Sequence, residues 1–228
     1  MKQTEVIALT NIRKDFVSGD VTTPVLRGIS LSVKQGEFIS ITGPSGSGKS
    51  TLLYILGLLD TATSGKYTLN GNDVTKLSED AQARYRNREI GFVFQSFNLL
   101  QRTSVLENVV LPSIYSGMKQ REREEKASGL LVQVGLGDQL NKRPTQLSGG
   151  QQQRVAIARS LMNDPALILA DEPTGNLDSK SGQDVIDIIK KLNKAGKTII
   201  VITHDMDIAS QANRIIKILD GRITESGS

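Results

Sequence analysis

Three features of this chain predict an α/β fold: a mostly parallel sheet, an antiparallel β subdomain before it, and an α-helical subdomain inserted into it. The first is the phosphate-loop string Gly43-Pro44-Ser45-Gly46-Ser47-Gly48-Lys49-Ser50, which fills the pattern G-x-x-x-x-G-K-S/T between a strand-like run and a helix-like run. The second is the alternation of apolar strand candidates with helices from that loop onward, the order that gives a parallel sheet with crossover helices. The third is the stretch from Ser96 to about Arg159, where helical patterns dominate and no strong strand appears.

Taken in order, residues 5–42 alternate apolar and polar positions between the turn signals Ser18-Gly19-Asp20 and Gln35-Gly36, which predicts short, largely antiparallel strands. The last of these runs, Glu37 to Thr42, leads as a buried strand into the phosphate loop, and Thr51 to Leu56 starts an apolar-faced helix. Tyr67 to Gly71 predicts a strand closing on a turn. Ile90 to Gln95, Ala166 to Asp171, Thr198 to Thr203 and Arg214 to Leu219 predict the remaining core strands. Lys119 to Lys126 carries both signs of charge at helical spacing and reads as a solvated helix face. The whole of 1–228 is read as one domain, with a core of 1–95 and 160–228 and a helical subdomain of about 96–159.

Composition narrows the class. At 228 residues, 38% hydrophobic and 23% charged, the chain suits a globular domain with ample core. No apolar run approaches the ~18–20 residues that a membrane span needs. The opening Met1-Lys2-Gln3-Thr4-Glu5 lacks the apolar segment of a secretory signal, so the chain is expected to stay in the cytoplasm. The absence of cysteine excludes disulfides and thiolate metal sites. A net charge of +4 is spread along the chain instead of gathered in a basic block, which makes it weak evidence for a nucleic-acid or acidic-membrane partner; no nucleic acid is expected.

The phosphate loop carries the first chemistry. Glycines let backbone N–H groups turn inward around phosphate oxygens, and a helix N-terminus adds its positive end. Gly43, Ser45, Gly46, Ser47, Gly48, Lys49, Ser50 and Thr51 are therefore candidates to hold a nucleoside triphosphate, with Lys49 on the β- and γ-phosphates and the Ser50 hydroxyl on Mg²⁺. A second anion-seeking helix start follows at Ser148-Gly149-Gly150-Gln151, with an apolar face of Val155, Ile157, Ala158 and Leu161 behind it. Read alone, without the phosphate loop, Ser148 is better taken as an ordinary helix N-cap. Asp171-Glu172 ends an apolar strand, and adjacent strand carboxylates point to opposite sides and can take different tasks; a solvated strand end is the plainer alternative. His204, the one histidine, ends another apolar run, where a structural role is the common case.

Leu147-Ser148-Gly149-Gly150-Gln151, with Gln152-Gln153-Arg154-Val155-Ala156-Ile157-Ala158-Arg159 after it, resembles the signature of ATP-binding-cassette (ABC) ATPases, and the resemblance covers essentially the entire chain. It implies ATP and Mg²⁺ as ligands and a head-to-tail homodimer in which each protomer's Ser148, Gly149, Gly150 and Gln151 complete the other's nucleotide site. By the same resemblance Asp171 holds Mg²⁺ through water, Glu172 orients and deprotonates the attacking water, and His204 contacts the γ-phosphate. Gln95, after Ile90-Gly91-Phe92-Val93-Phe94, corresponds to the residue that contacts Mg²⁺ and the water. Phe16 matches the aromatic that stacks on adenine, usually a tyrosine; a core role for Phe16 is the alternative. Gly175-Asn176-Leu177-Asp178 matches the loop that crosses the dimer interface, with Asn176 where many members carry alanine.

Gly57-Leu58-Leu59-Asp60, Arg88 to Gln95, Val109-Val110-Leu111-Pro112 and Leu169 to Asp178 resemble the macrolide-export and lipoprotein-release branch of that family. The branch implies an integral membrane permease subunit or domain as partner, reached at the cytoplasmic face of the inner membrane, with a periplasmic adaptor and outer-membrane channel beyond it. The surplus of apolar residues at Ser96 to Leu100, Val105, Val109, Leu111 and Ile114 is expected to build a groove for a permease helix, with Leu99 and Leu100 as its contacts. Soluble ABC ATPases acting on DNA or ribosomes are the rival class. The hundred or so residues between phosphate loop and signature leave no room for a long coiled coil, and only one cassette is present.

Overall fold

The computed structural model describes residues 4–227. The readings that concern Met1 to Gln3 and Ser228 lie outside the described residues. Two sheets form. The first is antiparallel, ordered β2-β1-β4-β5, from β1 (Glu5–Ser18), β2 (Val21–Lys34), β4 (Ser64–Leu69) and β5 (Asn72–Asp73). The second is ordered β10-β9-β3-β8-β7-β6, from β3 (Phe38–Thr42), β6 (Ile90–Phe94), β7 (Leu167–Asp171), β8 (Thr198–Ile202), β9 (Arg214–Leu219) and β10 (Arg222–Gly227). It is parallel from β9 to β6, with β10 added antiparallel at one edge.

The N-terminal strands are not short. β1 and β2 form one hairpin of two 14-residue strands, and the breaks in polar alternation that suggest strand ends are register shifts instead, such as those between Leu9 and Ile12. A bulge inserts a residue without ending the pairing. β3, grouped in sequence with the antiparallel set, pairs in parallel with β8 and β9. The edge strand β10 and the helix α2 (Glu79–Glu89) carry weak apolar patterning and have no counterpart among the expected elements.

Both faces of the parallel sheet are covered, and the period of two sorts the side chains. Ile39 and Ile41 of β3, Leu167 and Leu169 of β7, and Ile200 and Ile202 of β8 join one cluster with Leu52, Leu53, Ile55 and Leu56 of α1 (Lys49–Leu56) and with the antiparallel sheet. Phe38, Ile168, Ala170, Ile199 and Val201 face the other way, into a cluster with α5 (Gly149–Ser160) and α6 (Ser179–Lys194). Among the described residues no strand lies between β6 and β7; that interval holds α3 (Val105–Val110), α4 (Gln120–Gln133) and α5. On α4 only Ala127 and Leu131 are buried, while Arg121 pairs with Glu125 at 2.8 Å across one turn, so the charged run is a solvated face.

Asn108 pins the loop before α3. Its fully buried side chain accepts from the Leu100 N–H at 2.8 Å and donates to the Leu100 and Ser104 carbonyls and to the Thr103 hydroxyl at 2.9–3.1 Å. Asn108→Leu leaves these buried groups unpaired, at a cost of about 1–3 kcal/mol. In a domain of this size each kcal/mol lowers Tm by about 2–4 °C. Thermal denaturation followed by circular dichroism checks this, and an unchanged Tm contradicts it.

Candidate nucleotide site

The site is assembled by the ends of adjacent strands. Phe94 pairs with Asp171, Asp171 with Ile202, and Ile202 with Ile41, so β6, β7, β8 and β3 finish at one level. The next residues along each strand are Gln95, Glu172, Thr203-His204 and the phosphate loop. Open parallel sheets place ligands at this carboxyl edge.

The loop's glycines are demanded by space. A Cβ on Gly43 would lie 2.2 Å from the Ile218 carbonyl oxygen, and one on Gly48, at φ 104°, would lie 2.8 Å from Leu26 Cδ2. The β9–β10 turn fastens the loop, with Gly221 N–H donating to the Ser47 carbonyl at 3.0 Å. α1 then begins with no capping side chain and no acid in its first turn, which leaves its leading amides to a ligand. The Ser47 hydroxyl is buried without a hydrogen-bond partner. Lys49 Nζ donates to the Gly43 and Pro44 carbonyls at 2.8 and 2.9 Å, folded over the loop it would serve. A buried orphan hydroxyl, an uncapped helix and a lysine held at the same loop fit a polyphosphate.

The Glu172 carboxylate is held on three sides. Its Oε1 accepts from the His204 backbone N–H at 3.0 Å and lies 2.6 Å from His204 Nδ1, and its Oε2 accepts from the Thr203 hydroxyl at 3.0 Å. Its φ of 44° is rare for a non-glycine residue and aims the side chain across to β8. Thr203 is a site residue that sequence reasoning misses; only its position before His204 hints at it. Beside Glu172, Asp171 has its pKa raised, first by burial and then by repulsion from Glu172, with Lys49 opposing. No three or more of the described His, Asp or Glu residues converge as a metal cluster. The oxygen donors of Ser50, Gln95 and Asp171 therefore fit a hard cation that takes its remaining ligands from phosphate and water.

Gln95 lies against the loop after β7. Its Nε2 donates to Asn176 Oδ1 at 3.2 Å, and Asn176 Nδ2 donates to the Gln95 carbonyl at 3.1 Å. Phe16 is 47% exposed, outside both core clusters, with Lys14 Nζ 5.0 Å from its ring centroid. Ser148 caps α5 in a full capping box, accepting from Gln151 N–H at 3.3 Å while Gln151 Oε1 accepts from Ser148 N–H at 3.0 Å. A Cβ on Gly149 would meet Leu177, Phe97 and Asn176, and one on Gly150 would meet Ser181 in the first turn of α6, so the atoms packed against these glycines are not those of the phosphate loop.

A second feature lies beside the helical layer. Leu59, Phe92, Phe94, Leu111, Pro112 and Tyr115 line much of a groove of about 550 Å³. Of the residues expected to contact a permease helix, Leu99 is buried in the core with Val105 and Val109 and Leu100 is exposed; neither leucine lines this groove. Half-buried Arg159, its pKa lowered by desolvation, donates to the Phe97 and Asn98 carbonyls at 2.9 and 2.5 Å and thereby ties α5 to the loop behind Gln95.

A family model described as ABC transporter matches residues 26–175. An uncharacterized ABC transporter ATP-binding protein of Thermotoga maritima is 53% identical over 96% of this chain and 94% of its own length. The macrolide export ATP-binding/permease protein MacB of Marinobacter nauticus is 53% identical over 99% of this chain, which spans only 35% of that relative. Among solved structures, the dimeric post-hydrolysis state of the ATP-binding cassette MJ0796 bound to ADP and Pi superposes with a TM-score of 0.88 at 44% identity, covering 97% of this chain and 98% of that one.

The raised Asp171 pKa carries a sign for stability. A carboxyl whose folded pKa lies above its unfolded value stabilises the fold while protonated, and that stabilisation is lost as pH rises through the folded pKa. At pH 7 the ionised Asp171 is therefore a burden on the nucleotide-free protein. Asp171→Asn should raise Tm at pH 7, and the gain should shrink as pH falls toward the carboxyl range. Melting curves at pH 7.5 and 5 test this; a variant no more stable at pH 7.5, or a gap independent of pH, overturns it.

Proposed function

The chain belongs to the ABC transporter family as an ATP-binding cassette that hydrolyses ATP with Mg²⁺, and from that premise we propose how its residues divide the work and what they work with. One observation carries the reading: Glu172, with both carboxylate oxygens engaged by Thr203 and His204, stands on the same sheet edge as an uncapped phosphate loop. The loop amides from Gly43 to Thr51, the Ser47 hydroxyl and Lys49 hold the phosphates, and Phe16, half-exposed at the end of β1, stacks on adenine. Ser50, Asp171 and Gln95 hold Mg²⁺, which supplies charge neutralisation between phosphate oxygens when bound. Glu172 takes a proton from the attacking water. The His204 side chain, 75% exposed, is the partner free to turn from the carboxylate toward the γ-phosphate.

The separation of Ser148, Gly149, Gly150 and Gln151 from the phosphate loop supports a head-to-tail homodimer in which each chain's signature closes the other's site. The dimeric state of the MJ0796 cassette supports a dimer. Residues 96–159 act as a helical subdomain beside a core of 1–95 and 160–228. Among the described residues no helix is long and apolar enough to cross a membrane. The partner we infer is a permease subunit or domain seated in the groove lined by Leu111, Pro112 and Tyr115, at the cytoplasmic face of the inner membrane. The MacB relatives carry ATPase and permease in one protein by name, which supports efflux of macrolide type, with a periplasmic adaptor and outer-membrane channel joined through the permease.

Glu172→Gln keeps size and polarity but cannot accept the proton. Turnover should fall by about 10²–10⁴ while ATP remains bound, and size-exclusion chromatography should show a dimer with ATP and a monomer without it. Unimpaired turnover, or a monomer in both conditions, sinks the assignment. Tyr115→Asp places a charge at a groove residue that is 94% exposed, so Tm should hold while capture of a permease in detergent pull-downs is lost. Capture equal to wild type removes the groove from the interface. An ATPase that instead rises with DNA in a salt-sensitive way restores the soluble alternative.

A further inference from the structure

Asn176 and Gln95 are joined by two hydrogen bonds, and their chemistry dictates a direction. The Gln95 backbone carbonyl can only accept, so the Asn176 group 3.1 Å from it must be the amide nitrogen. That leaves Asn176 Oδ1 facing the Gln95 side chain, and Oδ1 can also only accept, so Gln95 must present Nε2 to it, at 3.2 Å. One fixed backbone atom thus settles the orientation of two side-chain amides, each of which would otherwise be free to turn over. Packing closes the arrangement: a Cβ on Gly175 would lie 2.7 Å from Gln95 Nε2 and 3.0 Å from Cδ, so the glutamine lies flat across a residue with no side chain.

We propose that Asn176 is a positioning residue for divalent-cation binding: by holding Gln95 Nε2, it turns Gln95 Oε1, the oxygen a hard cation requires, away from the loop and leaves it uncommitted. The inference rests on the reading of Gln95 as a cation contact. Asn176 itself touches neither cation nor nucleotide in this role. With alanine at position 176, the amide of Gln95 can present either end, and the orientation must be chosen at the moment of binding.

The test measures Mn²⁺ binding by the loss of its free-ion EPR signal, on the full chain saturated with a non-hydrolysable ATP analogue, so no turnover is involved. Asn176 is exposed, and a melting curve verifies that Asn176→Ala folds. Gln95→Ala and Asn176→Ala should each weaken Mn²⁺ binding, the latter about 5-fold, the equivalent of one net hydrogen bond. In the Gln95→Ala background, Asn176→Ala should have no further effect. An unchanged Kd in Asn176→Ala while Gln95→Ala weakens binding overturns the proposal alone, as does an equal loss in both backgrounds. If Gln95→Ala leaves the Kd unchanged, the assignment of Gln95 falls and this inference falls with it.

Discussion

The level ending of four adjacent strands is the constraint on which the rest of the molecule depends. β3, β8 and β7 are buried on both faces, so nearly every side chain along them is apolar, and the edge strand β6 is apolar throughout with Phe92 and Phe94 partly exposed at the groove. Polar groups buried without partners cost too much to be placed in that interior. Chemistry is confined to the edge where the strands stop, and the register brings Gln95, Asp171, Glu172 and His204 together with the phosphate loop. Residues scattered over more than a hundred and fifty positions meet because a sheet is a ruler.

That edge concentrates charge. Two consecutive carboxylates at the end of β7 repel each other, and the structure treats them differently. Glu172 is given donors from the residues just after β8 and sits at a positive φ of 44°. Asp171 is given burial without donors of that kind, and Lys49 acts as its opposing charge. Among the described residues, of the two neighbouring carboxylates only Glu172 has its position fixed by hydrogen bonds from outside its own strand.

The helical layer is tied to this edge by direct bonds. Gln153 of α5 donates to the Pro173 carbonyl at 2.6 Å, Arg159 of the same helix holds Phe97 and Asn98, and Asp178 caps α6 by accepting from Ser181 N–H at 3.0 Å. The helix that starts with the signature therefore grips both the loop behind Gln95 and the loop behind Glu172. The groove uses part of the same framework, since Asn98 and Arg159 line it as well.

What the sequence by itself determined was everything written in local pattern. The phosphate loop needs eight consecutive residues, the buried strands need runs such as Ile199-Ile200-Val201-Ile202, and the α5 start needs Ser148 with Gln151 three positions later; each is legible because its cause lies within a turn or a strand. Tertiary structure decided what depends on distant atoms. The bulges that carry β1 and β2 past their irregularities are set by pairing across the hairpin, so they read as strand ends. Leu99 and Leu100 differ in burial because one faces the helical core and the other does not, a choice no local alternation encodes. The embrace of Glu172 by Thr203 and His204, and of Gln95 by Asn176, joins residues 31, 32 and 81 positions apart. A threonine or an asparagine acquires such a role only from the partner that the sheet register places beside it.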